Sequence, residues 1–242
     1  MSVATDIART LWPAPRDRHG PLVPMMLALT LVTGVVDAVS YLRLGHVFVA
    51  NMTGNVVFLG FSLAGASGLS AAASLISLGS FVVGALAGGW LGARNPDHRG
   101  HLLRASSAAQ MTLIVIALVV ALAAVEPLST AVRYGLIVAL ALAMGVQNAA
   151  AQRLAVPELT TTVLTRTLTG LASEAGVVGG RGSQLGRRGV AVAAMLVGAL
   201  VGGLLALHVS VAAALAVAGA LVAGVGLAVH VLSRSGGAWI RA

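Results

Sequence analysis

Six stretches of the chain, 22–44, 70–92, 103–124, 130–150, 189–208 and 211–232, are apolar almost without interruption. A helix needs about 20 such residues to cross the hydrocarbon core of a bilayer. Backbone in hydrocarbon must satisfy its own hydrogen bonds, so runs of this kind admit helices and little else. A soluble domain carries roughly a quarter charged residues. Here the charged share is 9% and the mean hydropathy is +0.96 over 242 residues. The chain therefore reads as all-α, a polytopic transmembrane helical bundle.

The formal net charge of +8 is carried by arginine, since the chain has no lysine. The arginines lie between the apolar runs, which is the pattern that sets membrane topology. No nucleic-acid partner is expected. The absence of cysteine removes disulfides, thiolate metal sites and cysteine nucleophiles. Neither H-E-x-x-H nor G-x-S-x-G occurs. No catalytic residue, metal or cofactor is expected, and the chain does not read as an enzyme. The glycine-rich "GGRGSQLGRRG" (179–189) lacks the lysine of a P-loop and reads as a cytoplasmic loop near anionic lipid.

Two further segments are long enough to span but more polar: 47–65 ("VFVANMTGNVVFLGFSLAG") and 157–178 ("PELTTTVLTRTLTGLASEAGVV"). If both enter and leave on one side, six runs cross. The inside then holds Arg9, Arg16, Arg18, Arg94, Arg99, Arg104, Arg153, Arg181, Arg187, Arg188, Arg234 and Arg241, against Arg43 and Arg133 outside. If both cross, the loop with Arg94 and Arg99 flips outward. The positive-inside rule favours six. The expected location is the bacterial cytoplasmic (inner) membrane. A tail (1–21) and a C-terminal segment (233–242) both lie in the cytoplasm, and the first span is uncleaved.

The halves resemble each other. "GVVDA" (34–38) matches "GVQNA" (145–149), "MTGN" (52–55) matches "LTRT" (164–167), and "VGALAGG" (83–89) matches "VGALVGG" (197–203). Three matches in one order at nearly one offset imply a duplication, with repeats over 22–125 and 126–232. With three crossings each, the second repeat is inverted relative to the first, and each carries one re-entrant or broken helix. That plan recurs in transporters, with a site near the midplane. Ser80, Gly84, Gly88 and Gly92, and again Ala194, Gly198, Gly202 and Ala206, form small-residue stripes for close helix packing, between repeats or in a homo-oligomer.

"TGVVDAVSYLRLGHVFVANMTGN", with the later "AMGVQNAA" and "TTTVLTRTLTGLA", resembles the YoaK-like family of bacterial membrane proteins, a domain-of-unknown-function family. The resemblance covers nearly the whole chain. It implies a multi-span inner-membrane protein and names no substrate or reaction. In the second polar segment Arg166 stands where the resemblance leads one to expect glycine, as Gly54 follows Thr53.

Within the spans, Asp37 is the outstanding residue. It is the only acid in the six apolar runs, and Thr30, Thr33 and Tyr41 share its helix face. An acid at mid-membrane costs roughly 2.5–3.5 kcal/mol and usually faces a pathway. Asn148 is its counterpart in the second half, with Gln147 beside it and Gln152 one turn on. Asn51, Thr53, Gly54 and Asn55 form the polar cluster of the first segment; Thr165, Arg166 and Thr167 form that of the second. Arg166 either meets an anion or pairs with Asp37. These residues are expected to line a pathway for a small solute, with Asp37 as a proton or cation site and one repeat alternating against the other. The alternative is a non-transporting membrane protein that binds lipid or a partner protein.

Overall fold

The structure, a computed structural model, describes residues 3–12, 17, 19–96, 98–156, 159, 164–173, 185–235 and 237–240. The described elements run α1 (Val3–Leu11), α2 (Leu22–Arg43), α3 (Met52–Leu63), α4 (Ala71–Arg94), α5 (Arg99–Ala123), α6 (Thr130–Leu154), α7 (Leu164–Ser173), α8 (Leu185–His208) and α9 (Val211–Leu232). Helices α2, α4, α5, α6, α8 and α9 are long and apolar enough to cross a membrane. They coincide with the six apolar runs, and α5, α6 and α8 extend past them through arginine-bearing turns. Serines start three of them: Ser70 accepts from the Ala73 amide, Ser129 from Val132 and Ser210 from Ala213. Each thereby satisfies a first-turn donor that the helix cannot.

Helices α2 and α6 form the centre. Their apolar windows are 78% and 72% buried, against 28% in α4, α5 and α8. The outer helices turn Val82, Leu86, Val119, Leu122, Leu200 and Leu204 outward, as a lipid-facing surface requires.

The small-residue stripes are consumed in two close crossings. Where α2 meets α8, a Cβ on Gly34 would lie 2.5 Å from the Met195 carbonyl and 2.6 Å from the Ala199 amide, and one on Gly202 2.6 Å from Val35 Cα. Where α6 meets α4, a Cβ on Gly145 would lie 2.7 Å from the Ala85 amide, and one on Gly88 2.8 Å from the Val146 carbonyl. Gly198 and Gly84 face Leu31 and Leu142 in the same way. Glycine alone lets the backbones come this near. Each crossing joins a helix of the first half to one of the second.

Contacts at the helix ends define two faces. On one, the Gly186 amide at the start of α8 donates to Asp6 Oδ2 of α1 at 2.8 Å, and Gly100 at the start of α5 approaches Ser233 after α9. On the other, Arg43 ends α2, Ser70 precedes α4, Glu126 precedes α6 and Leu207 ends α8, all around one cavity. The segments outside the spans hold more structure than their polarity suggests. Helix α1 docks on α8, because Asp6 meets the partial positive charge of that helix start. After α9 the chain folds back, burying Trp239 and Ile240, with Trp239 against Gly20.

Candidate functional site

Helix α2 ends at Arg43, and the chain turns back through Gly45 and His46, both at positive φ. The returning strand of residues meets α2 again at Asp37. The amides of Val49 and Ala50 each donate to Asp37 Oδ1 at 2.9 Å, and the Asn51 side-chain amide donates to Oδ2. Burying a carboxylate is costly unless it is hydrogen-bonded. Here several N–H donors surround it, and such charge-assisted bonds are among the stronger ones.

Asn55 grips the same segment from the other side. Its Oδ1 accepts from the Phe48 amide at 2.8 Å, and its Nδ2 donates to the Phe48 carbonyl at 2.6 Å and to Ser77 Oγ of α4 at 3.1 Å. Ser77 donates to that carbonyl as well, at 2.6 Å. The Phe48 ring lies on Gly54, within 2.7 Å of where a Cβ would be, and clusters with Tyr41 and Phe58, centroids 5.3 and 5.7 Å away, those two rings being 5.9 Å apart. Asp37, Tyr41, Gly54 and Asn55 therefore hold the start of α3 in place. Ser77 and Phe48, which pattern reading passed over, complete the clamp.

The start of α3 borders a cavity of about 650 Å³. Asn51 and Thr53 form one wall, Phe81, Ala85 and Gly89 of α4 a second, Asn148, Gln152 and Arg153 of α6 a third, and Thr165 of α7 a fourth. Asn148 donates to the Met144 carbonyl at 2.9 Å and is buried; Gln152, Arg153, Thr53 and Thr165 are exposed. The Arg153 side chain lies across Gly92. So polar residues from both halves, expected on a pathway, meet at one cavity.

Thr33 and Gln147 lie elsewhere, in the sealed centre. Gln147 Nε2 donates to Thr33 Oγ1 at 2.9 Å, and Gln147 Oε1 accepts from Gln110 Nε2 of α5 at 2.6 Å. All three are buried, and they tie α2, α5 and α6 together. Gln110 had no partner in the repeat pattern to mark it. Thr167 is buried in α7. The side chain of Arg166, and residues 160–163 and 174–184 with their threonines, Glu174 and Arg181, lie outside the described residues.

A second cavity, about 610 Å³, opens on the opposite face. Arg43 and Glu126 pair across it at 2.8 Å, and Arg133 Nε donates to the Leu128 carbonyl at 3.0 Å.

A family model described as "Protein of unknown function (DUF1275)" matches residues 25–228. The UPF0700 transmembrane protein YoaK of Bacillus subtilis (strain 168) is 32% identical over 152 residues, which is 62% of this chain and 65% of that protein. The match thus spans just under two thirds of the length of that curated relative. No solved structure matches the chain significantly. With six membrane-crossing helices and a family match over most of its length, this chain is an integral membrane protein of the YoaK-like DUF1275 family.

Proposed function

We propose that the protein moves a small solute across the bacterial cytoplasmic membrane, through a polar site between two inverted repeats. The carrying observation is the 650 Å³ cavity, whose walls join Asn51 and Thr53 of one half to Asn148, Gln152 and Thr165 of the other. Pockets for small molecules run from about 300 to 1,000 Å³. Arg43 and Ser70 border one cavity, which supports a reading in which the chain leaves α2 and enters α4 on one face, with α3 as a re-entrant helix between them. At 12 residues α3 is about 18 Å long, short of a full crossing. The face with α1, Arg99 and Arg153 is the arginine-rich one and, by the positive-inside rule, the cytoplasmic one, with both tails on it.

The moving units are pairs of helices from different halves. Glycine crossings lock α2 to α8 and α4 to α6, so sliding one half against the other would break both. Rocking of these pairs would open the Arg43–Glu126 face while closing the Arg153 face.

The test uses proteoliposomes, a panel of radiolabelled metabolites, and Thr53→Cys or Gln152→Cys in a chain that has no other thiol. Some solute should be taken up, and a bulky charged thiol reagent should cut that uptake at least tenfold. Absence of any flux across the panel, or flux indifferent to the modification, refutes the reading in favour of a lipid- or partner-binding role.

A further inference from the structure

We propose that this cavity receives a small anion, a carboxylate or other oxyanion, and that Arg153 recognises its charge; the inference names a substrate class for the transport reading above and rests on it for its physiological meaning. Arg153 is the one charged residue among the described residues that line the cavity. None of the described carboxylates lines it, and each is engaged by other groups, Asp37 from behind the wall. Asp37 accepts from Val49, Ala50 and Asn51, Asp6 from Gly186, Asp17 from the His19 amide, and Glu126 pairs with Arg43 on the far face.

Gly92 sets the aim of the arginine. A Cβ there would lie 2.6 Å from Arg153 Nε and 3.2 Å from Cζ, so the arginine side chain passes over bare backbone that any larger residue would fill. A planar guanidinium offers paired N–H groups that match the two oxygens of a carboxylate. The remaining polar wall supplies neutral donors: the amide of Gln152 and the hydroxyls of Thr53 and Thr165. Asn51 reinforces the sign of the field. Its side chain is turned to Asp37 and makes no cap for α3, so the first-turn amides of Met52 and Thr53 keep their partial positive charge at the cavity wall. A cation entering here would find no carboxylate among the described lining residues.

The experiment titrates acetate, lactate, phosphate and sulfate into the full chain in phosphatidylcholine nanodiscs, at constant ionic strength, with glycerol and choline as neutral and cationic controls. Calorimetry reads affinity, and thermal unfolding confirms that each variant is folded. At least one anion should bind while glycerol and choline do not. Arg153→Gln should weaken that binding tenfold or more, Arg153→Lys by less, and Gly92→Leu should weaken it by displacing the guanidinium. Arg94→Gln, whose arginine stacks on Trp90 at 3.7 Å and lies outside the lining, should leave it unchanged. Failure of every anion to bind, or unchanged binding in Arg153→Gln, overturns the proposal. Uptake of a neutral or cationic solute that survives Arg153→Gln overturns it too, yet leaves transport standing. Anion binding without flux of anything does the reverse.

Discussion

Asp37 accepts the amides of both Val49 and Ala50 at 2.9 Å, fastening to α2 a stretch of chain 12 and 13 residues further on. The carboxylate is thus the anchor of the turn that sets α3. Replacing it by alanine strands several buried donors at once, and each such donor costs about 1–3 kcal/mol. Asp37→Ala should therefore lower stability by about 3 kcal/mol or more. Asp37→Asn keeps one acceptor but turns an NH2 group toward a donor, and should cost about half as much. Unfolding in detergent, followed by loss of the monodisperse species on heating, measures both. A variant Asp37→Asn as stable as the parent would show that the anchor is not electrostatic.

Glycines on α4 and α6 should respond with opposite sign according to what they face. Gly84 and Gly145 abut backbone of the partner helix, whereas a Cβ on Gly79 meets nothing within 4 Å. Gly79→Ala removes unfolded-state freedom and should stabilise by about 0.5–1 kcal/mol. Gly84→Ala and Gly145→Ala force the crossing apart and should cost about 1–3 kcal/mol. Their counterparts in the other half, Gly198 for Gly84 and Gly34 for Gly145, should behave alike. The same melting assay ranks them, and equal responses at Gly79 and Gly84 would contradict the packing described.

Gln110, Gln147 and Thr33 form a buried chain of hydrogen bonds across three helices. Interhelical bonds of this type are worth about 0.6 kcal/mol on average, up to about 1.7. Gln147→Met leaves the Gln110 amide without its acceptor, so it should cost about 1–2 kcal/mol. The double change to methionine at 110 and 147 should cost less than the two single changes together. A double-mutant cycle gives the coupling directly, and strict additivity would mean that the two amides do not support each other.

Much of this fold was written in hydropathy. The six long helices follow from runs of apolar residues, and the stripe of Gly84, Gly88 and Gly92 announced close packing before any partner was known. The partners were not legible, because a stripe of small residues says that something comes near and not which helix does. Asp37 illustrates a different limit. Its rarity in a span marked it as important, but rarity is equally what a pathway residue and a structural anchor would show. Only the positions of Val49 and Ala50, set by the turn at Gly45 and His46, reveal where its oxygens are spent. Arg153 escaped notice for a related reason. At a helix end it looks like any other loop arginine, and Gly92 lies on another helix. The docking of α1 and of Trp239 likewise depends on surfaces that form only once the bundle exists.

The two glycine crossings carry a consequence for how such a chain comes into being. Severed between residues 125 and 126, it would yield two pieces, each presenting two glycine-notched helices with nothing to receive them. Neither piece owns a complete glycine crossing, and together they own two. The first half therefore meets its packing partners only once translation delivers the second, and the finished protein is less a pair of modules joined in tandem than a single clasp closed last.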